Sequence, residues 1–126
     1  MNLPVSQGFR SHVAELLQPI GAIGVRSMFG GAGVYSGDTM FALIADDTLY
    51  FKVDEENRAA FTAAGSGPFV YEPAKGRKVA MSYWLVPPAL MDEPDQLVAW
   101  ARDALAAARR GRRSLPPPVK PRRRIR

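Results

Sequence analysis

The stretch from Met28 to Val53 constrains the fold more than any other part of the chain. Three apolar runs there are separated by Ser36-Gly37-Asp38 and by Asp46-Asp47. Runs rich in aromatic and β-branched residues, joined by two or three turn formers, read as consecutive antiparallel strands. In the third run Leu49, Phe51 and Val53 alternate with Thr48, Tyr50 and Lys52, giving one buried and one partly wet face. The middle run, Met40 to Ala45, is apolar throughout and predicts an inner strand covered on both faces. The preceding Gly30-Gly31-Ala32-Gly33 is not followed by a helix whose amides could face a phosphate. It reads as a tight turn or bulge between strands.

Helical patterns flank this meander. Phe9, Val13, Leu16, Leu17 and Ile20 form an apolar stripe, so residues 6 to 18 predict a helix capped by Ser6 and closed by Pro19 and Gly21. Gly24 to Phe29 reads as a first strand. Asp54-Glu55-Glu56-Asn57 is the acidic start of a second helix, with Asp54 accepting from first-turn amides, that stops at Gly65. Phe69-Val70-Tyr71 and Lys78 to Val86 form a further strand pair around a loop at residues 73–77. In the second of these Trp84 faces opposite to Met81 and Tyr83. It packs on a helix or, if exposed, serves as an interface residue. Pro87-Pro88 ends the sheet. Leu97, Trp100, Ala101, Ala104, Leu105 and Ala108 are the buried stripe of a last helix running from Pro94 to about Arg110 and ending at Gly111. The order predicts an α+β two-layer domain over residues 1–110, with an antiparallel sheet of five or six strands and helices mainly on one face.

The same residues carry a resemblance. Met28-Phe29-Gly30-Gly31, Gly33-Val34-Tyr35, Met40 to Asp46 and Leu49 to Asp54 are followed by Pro68-Phe69, Tyr71, Met81-Ser82-Tyr83-Trp84 and Leu97 with Trp100-Ala101. This ordered series resembles the N-terminal domain of the TfoX/Sxy competence regulators from about Phe9 to Arg110. The resemblance implies a secretion-chaperone-like α+β fold and a regulatory, non-enzymatic role. It also implies homodimerisation or binding of an unidentified protein partner through the sheet or a helix. Two-domain members continue into a helical C-terminal domain. The expectation here is a single-domain member without one.

Charge divides the chain. Nine of its 17 basic residues fall within 109–126, where there is no acid; the other eight share residues 1–108 with all 12 acids. A mildly acidic domain therefore precedes a strongly basic arm. From Gly111 on, four prolines and only Leu115, Val119 and Ile125 as aliphatic residues predict a disordered basic Pro/Arg-rich tail over 111–126. Arg109, Arg110, Arg112, Arg113, Lys120, Arg122, Arg123, Arg124 and Arg126 are the candidate nucleic-acid-binding residues, through nonspecific attraction to phosphate. A solubilising arm without a specific partner is the alternative, and an anionic membrane surface is a third.

Catalytic chemistry finds little footing. The chain has no cysteine, so disulfides and thiolate metal sites are excluded. Its single histidine, His12, flanks the first apolar stripe, and no Gly-x-Ser-x-Gly elbow accompanies it. Asp46-Asp47 reads as turn chemistry, not as an acid–base pair. No enzyme activity, cofactor or metal is expected. The start of the chain lacks a basic segment followed by an apolar one, and Met40 to Ala45 is the longest apolar run without Gly or Pro, far short of a membrane span. A cytoplasmic, soluble protein is the expectation.

Overall fold

The computed structural model describes residues 4–28 and 30–114, with the backbone alone at Arg113 and Ser114. Helix α1 spans Gln7–Leu16. Strands β1 (Ile23–Met28), β2 (Gly31–Ser36), β3 (Thr39–Ala45) and β4 (Thr48–Lys52) follow, then helix α2 (Arg58–Ala63). Strands β5 (Pro68–Ala74) and β6 (Arg77–Leu85) precede helix α3 (Pro94–Ser114). Short 3-10 turns lie at Gln18–Ile20 and Pro88–Asp92. The six strands form one antiparallel sheet in the order β1-β2-β3-β4-β6-β5.

Local chemistry accounts for most of these elements. The Ser6 hydroxyl accepts from the Phe9 amide at 3.1 Å and caps α1. Asp46 and Asp47 both take left-handed backbone conformations in the two-residue β3–β4 turn. That pair of positive φ values matches the twist of a hairpin, and Asp tolerates it better than most residues. The Asp47 carboxylate also accepts from the Ser6 amide at 2.7 Å, tying the start of α1 to the tip of the hairpin.

The core lies between the sheet and the helices. Val13 and Leu17 from the first helical segment, Leu97, Ala101, Ala104 and Ala108 from α3, and Ala32, Val34, Ile44, Phe51 and Phe61 are all buried there. The alanines of α3 let its backbone approach β3 and β4 closely. Phe61 forms the aromatic centre, meeting Trp100 edge-on at 4.8 Å and Trp84 at 6.4 Å between ring centroids. Trp84 thus packs on a helix residue.

Several boundaries differ from the sequence expectation. Only Gly30 of the glycine cluster turns, with φ 80°, whereas Gly31 and Gly33 lie within β2. The second helix starts at Arg58, not at Asp54, because Asp54 and Asn57 build a turn before it. The Asp54 carboxylate accepts from the Glu56 amide, and the buried Asn57 side chain accepts from the Asp54 amide while donating to the Lys52 carbonyl. Strands β5 and β6 extend to Ala74 and from Arg77, shortening the loop to Lys75-Gly76. Trp100 is half-buried where the stripe predicted full burial. Helix α3 passes through Gly111 to Ser114. Gly111 does not take the positive φ of a helix-ending glycine. The remaining tail residues, 115–126, lie outside those described.

Candidate functional site

The face of the sheet turned away from α3 is where the described structure leaves apolar surface without a layer over it. β3 is an inner strand, as its composition predicts, but among the described residues helices cover only one of its faces. Its pairing explains which side chains reach the other. Val34 faces Ala42 and Tyr35 faces Met40, so Phe41 is an extra residue in β3, a bulge. Phe41 and Ala42 are consequently both buried in the core, while Met40 and Leu43 line the opposite face three residues apart.

On that face Met28, Met40, Leu43, Phe69, Tyr71 and Met81 surround a groove of about 260 Å³ with no polar surface in its lining. Gly31 forms part of its floor. In a flat sheet of six strands spaced about 4.8 Å apart, the two edges would stand about 24 Å from each other. Met28 on β1 and Phe69 on β5 nevertheless border one groove, so the sheet is strongly curled and the face is concave. The Phe41 bulge supplies part of that bend.

Tyrosines frame the groove. The Tyr83 hydroxyl donates to the Met40 carbonyl at 3.5 Å, and burial pushes its pKa up to about 12, so it stays a neutral donor. Tyr50 meets Phe69 edge-on at 5.1 Å, and burial raises its pKa as well, with the nearby Asp46 charge adding to the effect. The Arg26 guanidinium lies 4.1 Å from the Tyr35 ring centre, and the Lys52 ammonium 5.3 Å from that of Tyr83. Lys52 also donates to the Ser82 hydroxyl at 2.6 Å. Burial lowers the Lys52 pKa, partly offset by the neighbouring Asp54 carboxylate. A broader depression between α1 and β1 is open and lined by Ser11, Glu15 and Gln18, with no titratable pair converging in it.

The basic residues singled out in the sequence are scattered by the fold. Arg109 is exposed. Arg110 donates to both oxygens of Asp54, at 2.7 and 2.9 Å, and approaches Glu56 at 3.2 Å. Arg112 reaches Asp38 at 3.2 Å and the buried Thr39 hydroxyl at 2.9 Å. Arg113 lies in α3. Lys120, Arg122, Arg123, Arg124 and Arg126 are outside the described residues. His12 is exposed on α1, and among the described residues no group of three or more His, Cys, Asp or Glu side chains could hold a metal ion. No helix among them is long and apolar enough to cross a membrane.

The sequence missed the groove because strict alternation through β3 puts Met40 and Leu43 on opposite faces. A usable signal was present: Met28, Met40 and Met81 are three of only five methionines in the chain.

An α+β domain with an open, curled antiparallel sheet and one apolar concave face is the class that fold and surface define. Residues 15–108 match the family described as the TfoX N-terminal domain, and the chain belongs to that family. It is 28% identical over 113 residues to the DNA transformation protein TfoX1 of Aliivibrio fischeri (strain ATCC 700601 / ES114), covering 86% of this chain and 54% of the relative. It is 30% identical over 94 residues to Protein Sxy of Escherichia coli (strain K12), covering 75% of this chain and 44% of the relative. The chain thus spans about half the length of the curated relatives it matches.

Proposed function

We propose that this chain is a cytoplasmic, non-enzymatic regulatory module of the TfoX/Sxy kind, acting in the control of DNA transformation by binding a protein partner. The match of residues 15–108 to the TfoX N-terminal domain carries this reading. The A. fischeri relative, a DNA transformation protein, supplies the process. The concave apolar face supports contact with a protein, since an apolar groove can receive a partner's apolar side chains. A strain lacking the gene should lose transformation efficiency at least tenfold and regain it with the wild-type copy. Unchanged transformation in the deletion strain would remove the competence role.

A second reading rests on the nine basic residues of 109–126 and the absence of acids among them. In it the C-terminal arm holds nucleic acid nonspecifically, through phosphate contacts alone. A salt titration on unrelated duplexes separates this from a solubilising arm.

A further inference from the structure

We propose that the concave face takes an amphipathic helix of a partner protein, its apolar stripe entering the methionine-lined groove and its flanking acidic residues meeting Arg26 and Lys52. This rests on the protein-interaction reading and names the chemistry of the partner.

The groove selects for side chains over backbone. No polar surface lines it, so an occupant must satisfy its own amides and carbonyls, which a helix does internally. Thioethers are flexible and polarizable and adjust to irregular apolar side chains. Addition of a strand at a sheet edge is the competing mode, and both edges are guarded. β5 carries Pro68 and Pro73, which cannot donate to a neighbouring strand. Along β1, Arg10 of α1 donates to the Val25 carbonyl at 3.0 Å and the Ser27 hydroxyl at 2.9 Å.

Charge on the strands favours an acidic partner; the opposing acids are Asp46, which acts on Tyr50, and Asp54, which acts on Lys52. The strands hold four basic residues, Arg26, Lys52, Arg77 and Lys78, and one acid. That acid, Glu72, accepts from the Gly76 amide at the tip of the β5–β6 hairpin. Arg26 shares the groove face, because it pairs across from Gly33, where a Cβ would point at the Met28 and Met40 sulfurs. Lys52 shares it too, paired with Tyr83 and two residues from Tyr50, whose ring meets Phe69. Each cation is held over a tyrosine ring beside the apolar groove, Arg26 exposed and Lys52 half-buried, where an arriving carboxylate can meet it. The chain's own basic arm has the wrong sign for this face: residues 109–126 contain nine bases and no acid.

The test uses the full-length protein and two labelled helical peptides. Both carry leucine at i, i+3, i+4 and i+7; one is flanked by glutamate and the other by lysine. Fluorescence anisotropy should find the glutamate peptide binding about tenfold tighter at low salt, with the margin shrinking as salt rises. Met81→Ala should weaken binding of both peptides severalfold, and Met81→Glu should abolish it. The Arg26→Glu, Lys52→Glu double variant should exchange the preference, a result that a merely unfolded protein cannot give. Equal binding of the two peptides, no binding, or a preference that survives charge reversal would overturn the proposal. So would a homodimer in sedimentation that Met81→Glu dissociates, because the face would then belong to a second copy. If Met81→Glu loses the peptide yet restores transformation in the deletion strain, the groove assignment fails and the regulatory reading stands. If the wild-type copy itself has no effect on transformation, the regulatory reading is the one that fails.

Discussion

Phe41 resets which side chains of β3 face the core and which face the groove. As the extra residue of β3 it sends its own ring and Ala42 into the core and leaves Met40 and Leu43 to the groove. Glycines make the neighbouring close approaches. A methyl group on Gly31 would stand 2.5 Å from the Ile44 carbonyl oxygen, which is backbone and cannot yield. At Gly33 the nearest atoms are the Met28 and Met40 sulfurs and a Tyr35 ring carbon, at 2.9 to 3.1 Å, and those side chains can move. Gly31→Ala should therefore cost about 2–3 kcal/mol and Gly33→Ala less than about 1 kcal/mol in denaturant unfolding. Equal losses would mean that the strand shifts freely. Asp54 gives a pH signature. The hydrogen bond from Arg110 holds its carboxyl below the usual carboxylate range. A depressed folded pKa stabilises above the unfolded value, near pH 4, and the benefit is lost as pH falls through the lower folded value. Asp54→Asn should cost about 1 kcal/mol at pH 7 and nothing below both pKa values. Melting curves taken across the acid range check this.

At the scale of elements, the end of α3 fixes where the first basic residues of the C-terminal segment sit. Arg110 and Arg112 each grip acids of the body, Asp54 and Asp38, and these contacts hold the last turns of the helix against β3 and the α2 approach. Gly111 sits among them without a left-handed φ, and a Cβ there would meet nothing within 4 Å. Gly111→Ala should raise stability by up to about 1 kcal/mol, the helix propensity difference. A loss would indicate that α3 ends at this glycine. Phe61 is buried, whereas Trp100 is half-buried against it. Phe61→Ala should cost about 3–5 kcal/mol, and Trp100→Ala about 2–3 kcal/mol because part of its ring is already wet. Thermal melts of the two variants rank them directly.

For the whole molecule, truncation tests whether residues 115–126 contribute to stability. Removal of residues 115–126 should shift the melting temperature by no more than a few degrees, corresponding to about 1 kcal/mol or less. Starting the deletion at residue 112 should lower it further, because the buried Thr39 hydroxyl then loses the Arg112 donor. If the arm binds duplex DNA, log K should fall against log salt with a slope of magnitude below ~8, the value for nine engaged charges, since Arg110 and Arg112 already answer to acids of the body. Binding indifferent to salt would refute a phosphate-contact mechanism.

Much of this architecture was readable from the chain because its causes are local. Ser6 caps a helix, Asp46-Asp47 turns a hairpin, Pro87-Pro88 ends the sheet, and the Leu97 to Ala108 stripe marks the helix that covers it. Each depends on residues a few positions apart, where the covalent chain dictates geometry. The concave groove depends on three events distant in sequence: a bulge at Phe41, the curl that brings β1 towards β5, and the pairing of β4 with β6. Whether Arg110 and Arg112 face solvent or the body was likewise set by Asp54 and Asp38, 56 and 74 residues away. The sequence by itself determined the elements and the sign of the charge at each position. Only the tertiary structure decided which face stayed open and which charges were already paired, because both follow from contacts that no local pattern encodes.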